Sequence, residues 1–440
     1  MPTKKTTKKP IKFYKIAVCG IGYVGLPVAL LLAKAGHDVI GVDIDEERVK
    51  KINRGINPIK GREPGMNILL KEVLKTGRFK AVTDPSLYKD RDVIAVAVQT
   101  PVEDDHAPRY EHMRSACASI AQNMKKGALV VIESTIAPTT MNKIILPVLE
   151  KESGFQVNKD FLLANCPERV MPGRLIYNLT HYDRLVGAFN DKAGKMVQAL
   201  YEKALGIKVD ITDPLTAEIV KSGENTYRDV QIAFANEMAL LCEAYGASVW
   251  EVRELINKCP YRNMHLPGAG VGGHCIPKDS WLLIHGAKGI IDTKMIPLAR
   301  KINDFMPHHM FDLLKMGLEE AGKPLEEAKV VVLGYAYDAN SDDTRMTPTI
   351  DLMKILEQKK VNYVVHDPFV DEYKHPLDND LKGAHAIVLM TAHDQYKRFN
   401  LKNLKKSMKG RKPVIIDGRN AFDKETTQKA GFVYKGVGNI

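Results

Sequence analysis

The stretch that decides the fold is KIAVCGIGYVGLPVALLLAKAGHDVIGVD, residues 15–43. It predicts a buried β-branched strand, a turn with glycines at 20, 22 and 25, a helix, and a second strand that ends at Asp43. In such a turn the glycines permit a tight bend, a close approach of the backbone to a pyrophosphate, and close packing of the helix on the strand. Asp43 would accept hydrogen bonds from a ribose and repel a 2′-phosphate. The stretch therefore predicts a Rossmann-like unit that binds NAD rather than NADP, although a tight turn without a ligand would need the same glycines.

Beyond this stretch, short β-branched runs alternate with helical patterns as far as residue 212, which predicts βαβ crossovers and a parallel sheet. The strand candidates are Lys15–Cys19, Asp38–Val42, Val93–Val98, Leu129–Ile132, Phe161–Ala164, Arg184–Phe189 and Lys208–Ile211. A helix of about thirty residues is predicted from Asp213 to Gly246 by its proline start and glycine stop. A second βα series follows, with strand candidates at Lys329–Leu333, Asn362–His366, Ala386–Met390 and Val414–Asp417.

These changes of pattern predict an α/β protein with two Rossmann-like, doubly wound lobes joined by a helical central domain with a long spine helix. The predicted divisions are a basic tail (1–14), an NAD-binding domain (15–212), the central domain (213–325) and a second lobe (326–440). Apolar residues of the spine helix are distributed widely around its axis, which predicts that most of its faces are buried and that it forms a dimer surface. The turn of the second lobe has one glycine, Gly334, so this lobe is either a degenerate nucleotide-binding unit or a structural duplicate.

The composition of the 440 residues, 45% hydrophobic and 27% charged, is typical of a globular protein and excludes wholesale disorder. The net charge is +11, and six early lysines contribute to it: Lys4, Lys5, Lys8, Lys9, Lys12 and Lys15. Without them the excess falls to +5, which suits anionic small molecules. Since no basic stripe marks the rest of the chain, nucleic acid is not an expected partner, and the tail is interpreted as a solvated arm.

The cysteines favour a cytoplasmic enzyme. The six of them are widely spaced and form no C-x-x-C pair, so neither a zinc site nor a redox motif is predicted. Residues 16–33 lack charge, but their glycines and Pro27 break the apolar helix that an export signal or a membrane span would need. No metal is expected.

The strongest chemical signal is PGAGVGGHCIPKD, residues 267–279, which we call the cysteine loop. Four glycines and two prolines around Cys275 suit a loop that presents a thiol to a substrate, and they suit a buried structural thiol badly. Neighbouring His274 and Lys278 could stabilise the thiolate, which is the reactive form. The alternative is a flexible linker with an incidental cysteine.

Further polar residues are predicted to converge on a site. Lys221, Asn225 and Asp229 recur on one face of the spine helix, and polar residues on a largely buried helix need partners or a substrate. Three segments follow predicted strands, at the edge where open α/β sheets bind ligands. They are Thr100-Pro101, Glu133–Thr135 and Cys166–Arg169.

These motifs, with DDTR and DGRN further on, resemble the UDP-glucose/GDP-mannose dehydrogenase family over nearly the whole chain after the tail. The resemblance implies a four-electron oxidation of a sugar C6 hydroxymethyl group to a carboxylate, with two NAD reduced and Cys275 forming a thiohemiacetal and then a thioester. The implied cofactor residues are Gly20, Ile21, Gly22, Tyr23, Val24, Gly25, Asp43, Arg48, Thr100, Pro101, Thr135 and Arg345. The resemblance also implies that the second lobe, residues 326–440, binds the UDP part of the substrate. The implied UDP-sugar residues are Glu168, Arg169, Val170, Lys221, Asn225, Arg228, Arg262, Gly272 and Arg419.

The resemblance also assigns roles. Lys221 and Asn225 would stabilise the oxyanion, Asp279 and Thr135 would handle protons and water, and Glu168 would be the general base for thioester hydrolysis. The chain departs from the family at two points. Asp338 stands where relatives commonly have lysine, and the arginine expected directly after Pro260, which reaches the neighbouring subunit's site, is matched only by Arg262, one position later.

Within the family, CPERV followed by Pro172-Gly173, together with GGHC, resembles the branch that oxidises UDP-N-acetylhexosamines, above all UDP-N-acetyl-D-mannosamine. UDP-N-acetylglucosamine and UDP-glucose are the alternative substrates. The expected partners are a UDP-sugar and a second copy of the chain, without nucleic acid or membrane. The competing classes are a two-electron hydroxyacid dehydrogenase, which needs no thiol, a nucleic-acid binder, and a redox sensor that uses Cys275.

Overall fold

The computed structural model describes residues 13–59, 61, 63–103 and 105–440, so the predicted basic tail lies almost wholly outside the described residues. Two compact units are present, one formed by residues 13–59 and 63–221 and the other by residues 61 and 222–440. The finer division into domains stays a prediction. In the described part of the chain, no helix is both long and apolar enough to cross a bilayer. Over the same residues, no cluster of three His, Cys, Asp or Glu side chains is arranged to hold a metal ion.

The first unit contains an eight-stranded sheet in the order β3-β2-β1-β4-β5-β6-β7-β8. Its strands are β1 Lys15–Cys19, β2 Asp38–Val42, β3 Phe79–Val82, β4 Val93–Val96, β5 Leu129–Ile132, β6 Leu162–Asn165, β7 Arg184–Ala188 and β8 Val209–Thr212. The first six strands are parallel in the Rossmann order. The parallel pairing predicted throughout is wrong at one place, because β7 runs antiparallel to β6. A continuous apolar run indicates that a strand is buried on both faces, but it does not indicate whether the strand is parallel or antiparallel to its neighbour.

Helices cover both faces of this sheet and bury its β-branched side chains in two core clusters. They are α1 Gly25–Lys34, α2 Glu46–Asn53, α3 Met66–Lys75, α4 Glu111–Asn123, α5 Leu146–Ser153, α6 Leu175–His181 and α7 Asp191–Leu205. A π-helical turn at Met141–Ile145 precedes α5.

The spine helix α8 extends over Pro214–Tyr245, 32 residues, as the sequence predicts. The Asp213 carboxylate caps its start by accepting from the Thr216 N–H at 3.0 Å, and Gly246, at φ +73°, follows its end. The boundary between the two units falls inside this helix, at residues 221 and 222.

The second unit contains a parallel five-stranded sheet in the order β10-β9-β11-β12-β13. Its strands are β9 Lys329–Leu333, β10 Asn362–His366, β11 Ala386–Leu389, β12 Val414–Asp417 and β13 Val433–Gly436. Its helices are α9 Val249–Asn257, α10 Ile276–Ala287, α11 Met295–Glu320, α12 Pro348–Gln358, α13 Leu377–Leu381, α14 Asp394–Lys397, α15 Leu401–Ser407 and α16 Lys424–Lys429. The chain is therefore an α/β protein with two Rossmann-like sheets and a helical stretch between them.

Two strands escaped prediction, β3 and β13, and each lies at the edge of its sheet. Both carry a lysine among their apolar residues, Lys80 in β3 and Lys435 in β13. Edge strands face solvent on one side and commonly carry lysine. Neither strand therefore shows the continuous apolar run by which the central strands are recognised.

Candidate active site

The glycine turn between β1 and α1 has the form that a dinucleotide pyrophosphate requires. Gly20 has φ +83°, and its N–H donates to the Val42 carbonyl oxygen at 2.8 Å. A β-carbon at Gly25 would lie 1.9 Å from the Gly20 carbonyl oxygen, so only glycine permits this packing. At Gly22 a β-carbon would meet no described atom within 4 Å, and no described side chain caps the N–H groups of α1. These residues fit an NAD pyrophosphate over the helix N-terminus.

Asp43, at the end of β2, supports this turn from within. Its carboxylate accepts from the Ile21 N–H at 2.9 Å and from the Asp45 N–H at 3.0 Å. Arg48 Nη1 donates to both carboxylate oxygens, at 2.9 and 3.0 Å. The two predicted cofactor residues Asp43 and Arg48 thus form one ion pair beside the turn, in which the acid is buried and the arginine is partly exposed.

Glu63 is a residue of this region that the sequence analysis missed. Its carboxylate accepts from the Tyr23 hydroxyl, from the Gly173 N–H at 2.7 Å and from the Leu175 N–H at 3.2 Å. It therefore joins the glycine turn to the segment that follows Cys166–Arg169. No local motif marks Glu63, because its partners lie 40 and 110 or more positions away along the chain.

The predicted strand-end segments do lie on one edge of the first sheet, because β4, β5 and β6 are parallel neighbours. The Thr100 hydroxyl donates to the Thr135 carbonyl oxygen at 2.7 Å, and the Ser134 hydroxyl donates to the Val98 carbonyl oxygen at 2.6 Å. These bonds join the segment that contains Thr100 and Pro101 to the segment that contains Thr135. The roles assigned to these three residues stay predictions.

A buried ion pair supports the third of these segments. Arg184 on β7 and Glu133 after β5 are both fully buried and form a charge-assisted hydrogen bond. Arg184 also donates to the Cys166 carbonyl oxygen, and the Tyr201 hydroxyl donates to Glu133. The sequence indicates this pair only through Arg184 itself, which begins an apolar strand, because a buried cation needs a partner.

Glu168 and Lys221 are both buried in the first unit, at 8% and 6% exposure. Burial raises the pKa of the Glu168 carboxyl, and the positive charge of Lys221 and a hydrogen bond from the Val170 N–H partly offset that rise. A carboxylate with a raised pKa is a better proton acceptor near neutral pH than an ordinary one. The neighbouring Arg169 donates to the Asp183 carbonyl oxygen.

Cys275 occupies the N-cap position of α10 in the second unit and is partly exposed. The partial positive charge of a helix N-terminus favours an anion at such a position. The preceding glycines are required by packing, since a β-carbon at Gly272 would lie 2.5 Å from the Tyr337 β-carbon. The Gly273 N–H donates to the Arg345 carbonyl oxygen at 2.9 Å. These contacts place the cysteine loop against the segment between β9 and α12, which argues against a flexible linker.

The charges around Cys275 differ from those predicted. His274 does not supply a cation, because burial, with smaller contributions from Lys278 and Arg345, lowers its pKa to about 4. The Lys278 ammonium is buried and pairs with Asp279 at 2.9 Å. The Arg345 guanidinium interacts electrostatically with Cys275 and is oriented by Asp343, whose oxygens accept from it at 2.8 and 2.5 Å. Arg345, assigned to the cofactor by resemblance, is thus also a cation near the thiol.

Asn225 and Asp279, two residues assigned to the site, are in contact, since the Asn225 side-chain N–H donates to the Asp279 carboxylate at 2.6 Å. Of the arginines assigned to the substrate, Arg419 donates to the Met390 carbonyl oxygen at 2.8 Å and to that of Gly270 at 3.4 Å, which ties it to the cysteine loop. Arg228 and Arg262 are exposed, and the roles assigned to them stay predictions.

The turn after β9 repeats the arrangement of the glycine turn. Gly334 has φ +91°, and the Tyr335 and Ala336 N–H groups donate to the Asp367 carboxylate at 2.8 and 2.9 Å, as Ile21 does to Asp43. His393 takes the place of Arg48, with Nε2 3.0 Å from Asp367. Asp338 follows in the same segment. Burial lowers the pKa of the Arg419 guanidinium, and the negative charge of Asp338 opposes that change. The turn of the second lobe therefore has the same backbone arrangement as the glycine turn of the first.

Comparison with known proteins gives one result over the whole chain. Sequence models of the UDP-glucose/GDP-mannose dehydrogenase family match its NAD binding domain at residues 14–205, its central domain at 215–305 and its UDP binding domain at 331–424.

Individual relatives agree with this match. A UDP-N-acetyl-D-mannosamine dehydrogenase from Pyrococcus horikoshii is 41% identical over 96% of this chain and 99% of its own. The solved structure of the UDP-D-ManNAc dehydrogenase from that organism has a TM-score of 0.91 at 40% identity and covers 96% of this chain and 99% of that one. An NDP-N-acetyl-D-galactosaminuronic acid dehydrogenase from Methanosarcina mazei has a TM-score of 0.88 at 37% identity, with 97% and 95% covered.

Proposed function

The chain belongs to the UDP-glucose/GDP-mannose dehydrogenase family and is an NAD-dependent oxidoreductase; from this we propose that it oxidises the C6 hydroxymethyl group of UDP-N-acetyl-D-mannosamine to the uronate. Relatives of that activity, similar over nearly the full length, support this substrate, as does the CPERV and GGHC pattern. Membership in the family removes the two-electron hydroxyacid dehydrogenase from consideration. UDP-N-acetylglucosamine and UDP-glucose are the alternative substrates.

The observation that carries the proposal is the position of Cys275 at the head of α10, on a packed glycine loop with Arg345 close to it. In the proposed chemistry the Cys275 Sγ adds to the C6 aldehyde carbon and forms a thiohemiacetal. Asp279 holds Asn225 in place through their hydrogen bond. Asn225 and Lys221 stabilise the oxyanion that develops on the aldehyde oxygen.

Oxidation of the thiohemiacetal removes the C6 hydride and the hydroxyl proton and leaves a thioester between C6 and the Cys275 Sγ. The last step hydrolyses this thioester and releases the product. Glu168 accepts a proton from water, the water oxygen bonds to C6, and the C–S bond breaks to return the Cys275 thiolate and the carboxylate. Thr135 is proposed to orient water and Arg419 to contact the substrate. NAD, when bound over the glycine turn, accepts two electrons and a proton at each of the two oxidations, so one sugar consumes two NAD and one water.

An assay of NADH formation with UDP-ManNAc, UDP-GlcNAc and UDP-glucose tests this proposal. The highest kcat/KM is expected with UDP-ManNAc, together with two NADH per sugar consumed. A higher kcat/KM for UDP-GlcNAc or UDP-glucose would contradict the proposed substrate and leave the family assignment unchanged. A yield of one NADH per sugar would contradict the four-electron chemistry.

We expect Asp43→Ser to relax the preference for NAD over NADP. The change removes the ribose acceptor and frees Arg48, whose guanidinium could then meet a 2′-phosphate. It also removes the acceptor of the Ile21 N–H, which loosens the glycine turn. The lost hydrogen bond between the ribose and a charged acceptor corresponds to about 1.5–3 kcal/mol, so NAD should bind roughly tenfold to a hundredfold more weakly. The measurement is kcat/KM with each cofactor. Arg48→Gln, which keeps the acid, is the control and should keep the preference. Equal use of NAD and NADP by the unchanged protein would contradict the assignment.

We further propose that two copies associate through α8. The sequence predicts burial on most faces of this helix, and in the single chain this is wrong for one face. Tyr227, Phe234 and Leu241, spaced seven residues apart, are 66%, 53% and 47% exposed. Large apolar side chains aligned on one face are typical of a helix that packs on a partner. A two-fold axis across the helix would place the same stripe from each copy face to face.

Light scattering should therefore give twice the 49.1 kDa mass of one chain. Phe234→Lys should shift the protein toward monomer, because it places a charge in the centre of the stripe. Lys315→Ala, at an exposed position on α11, is the matched surface control and should leave the mass unchanged. An active, concentration-independent monomer of the unchanged chain would contradict the dimer. A location in the cytoplasm stays a prediction.

A further inference from the structure

The cysteine loop is anchored at both ends by polar side chains of one helix, α8. These anchors are unexpected from the sequence, because no motif gives Asp229 a role and none marks Asn236. The loop contains four glycines, which let the backbone bend sharply but also give it many accessible conformations. A nucleophile on such a loop needs external contacts to hold its position.

At the C-terminal end of the loop, Asp229 contacts α10 at Ser280, the residue directly after the loop. The Ser280 hydroxyl donates to the Asp229 carboxylate at 3.0 Å. The same carboxylate accepts from Arg300 at 2.6 Å and from Asn303 at 2.7 Å, both on α11. All four side chains are at most 2% exposed. Asp229 therefore fixes α10 and α11 to α8 at a point five residues after Cys275.

At the N-terminal end, Asn236 contacts the start of the loop. Its side-chain oxygen accepts from the Gly268 N–H at 2.8 Å, and its side-chain nitrogen donates to Asn303 at 2.9 Å. Asn303 thus joins the two anchors. The hydrogen bonds form one continuous, buried chain from Ser280 through Asp229, Asn303 and Asn236 to Gly268. Such a network rigidifies its surroundings when its members are satisfied.

The two residues that anchor the loop lie on one face of α8. Asp229 and Asn236 are seven residues apart, about two helical turns or roughly 10.5 Å, on the same face. The ends of the loop are consequently held at a separation that a rigid helix sets. Asn225, one turn before Asp229, adds its hydrogen bond to Asp279. The polar face of α8 is thus explained by its contacts to the loop and to the helix that follows it.

We infer that Asp229 is a positioning residue, which acts through Ser280 and Asn303 to set the place of Cys275 at the head of α10. The inference rests on the proposed role of Cys275 as nucleophile. A misplacement of about 1 Å at a reacting atom can cost on the order of 100-fold in rate, so loosening the anchor should lower turnover more than ligand binding.

Ser280→Ala tests the inference. It deletes one hydroxyl and leaves Asp229 bonded to Arg300 and Asn303, so the fold should persist. We expect kcat to fall roughly tenfold to a hundredfold, with KM for NAD within about twofold of the parent. Thr427→Val is the control on α16 and should keep kcat, because it likewise removes a buried hydroxyl, but one that donates to the Asp423 carbonyl oxygen and has no contact with the loop.

A second readout separates position from stability. Iodoacetamide alkylation, followed peptide by peptide, compares Cys275 with Cys259, an exposed thiol in the same sample. In Ser280→Ala, alkylation of Cys275 relative to Cys259 should slow about fivefold or more, because the sulfur leaves the helix N-terminus that favours the thiolate. A kcat and an alkylation ratio within twofold of the parent would overturn the inference. Normal turnover of Cys275→Ser would instead remove the proposed nucleophile, and the alkylation ratio would still test the anchor.

Discussion

Cys275→Ser should lose about 10³-fold or more in turnover, on the order of 4 kcal/mol in activation free energy. A serine hydroxyl is a far weaker nucleophile than a thiolate near neutral pH, and the position at the helix N-terminus with Arg345 nearby favours an anion that serine does not form. Any oxygen ester that forms is more resistant to hydrolysis than a thioester. The variant is therefore expected to accumulate as a slow covalent adduct.

Mass spectrometry of Cys275→Ser, incubated with NAD and UDP-sugar, is the measurement. The adduct should add the mass of the uronate product less one water to the peptide that contains position 275. Binding of both ligands should remain close to that of the parent, because no ligand contact is assigned to the sulfur. Cys259→Ser, which changes an exposed cysteine, is the control and should turn over normally. Two NADH per sugar at the normal rate in the Cys275 variant would show that this cysteine is only part of a glycine loop.

Lys221→Ala should lose about 10²–10³-fold in kcat without trapping an ester, because it removes oxyanion stabilisation and leaves the nucleophile in place. It should also change the pH dependence. Burial raises the pKa of Glu168, and the positive charge of Lys221 opposes that rise. Without Lys221 the pKa of Glu168 moves further up, so the carboxylate forms at higher pH and the acidic limb of the kcat profile shifts to higher pH.

Other groups around Glu168 limit the size of this shift. Arg184 on β7 also favours the carboxylate, and Glu133 after β5 opposes it. Lys221→Arg keeps a cation at the same place on α8 and should leave the acidic limb near its original pH. An acidic limb that stays in place in Lys221→Ala, or moves to lower pH, would show that Glu168 is not the base whose titration limits turnover.

Most of the fold could be predicted because its central strands are buried on both faces. β1, β2, β5, β9, β10 and β12 have the predicted bounds, and all of them except the edge strand β10 are nearly continuous apolar runs. The edge strands β3 and β13 were missed because they lack that run, and the antiparallel pairing of β7 leaves no mark in composition. The length of α8 could be predicted because its capping aspartate, proline and terminal glycine are local signals.

The parts of the site that could be derived from the sequence are those whose chemistry lies within a few consecutive residues. The glycine turn with Asp43 and the cysteine loop are of this kind, because backbone freedom and the reactive group belong to one segment. Which polar groups contact each other, by contrast, is evident only in the folded chain. Tyr23 and Glu63 are 40 positions apart, and both Arg184–Glu133 and Ser280–Asp229 are 51 apart. The tertiary structure also sets protonation, since burial makes His274 neutral and leaves Arg345 as a cation near Cys275. Hydrogen bonds and desolvation act over a few ångströms, and only the folded chain brings distant residues that close.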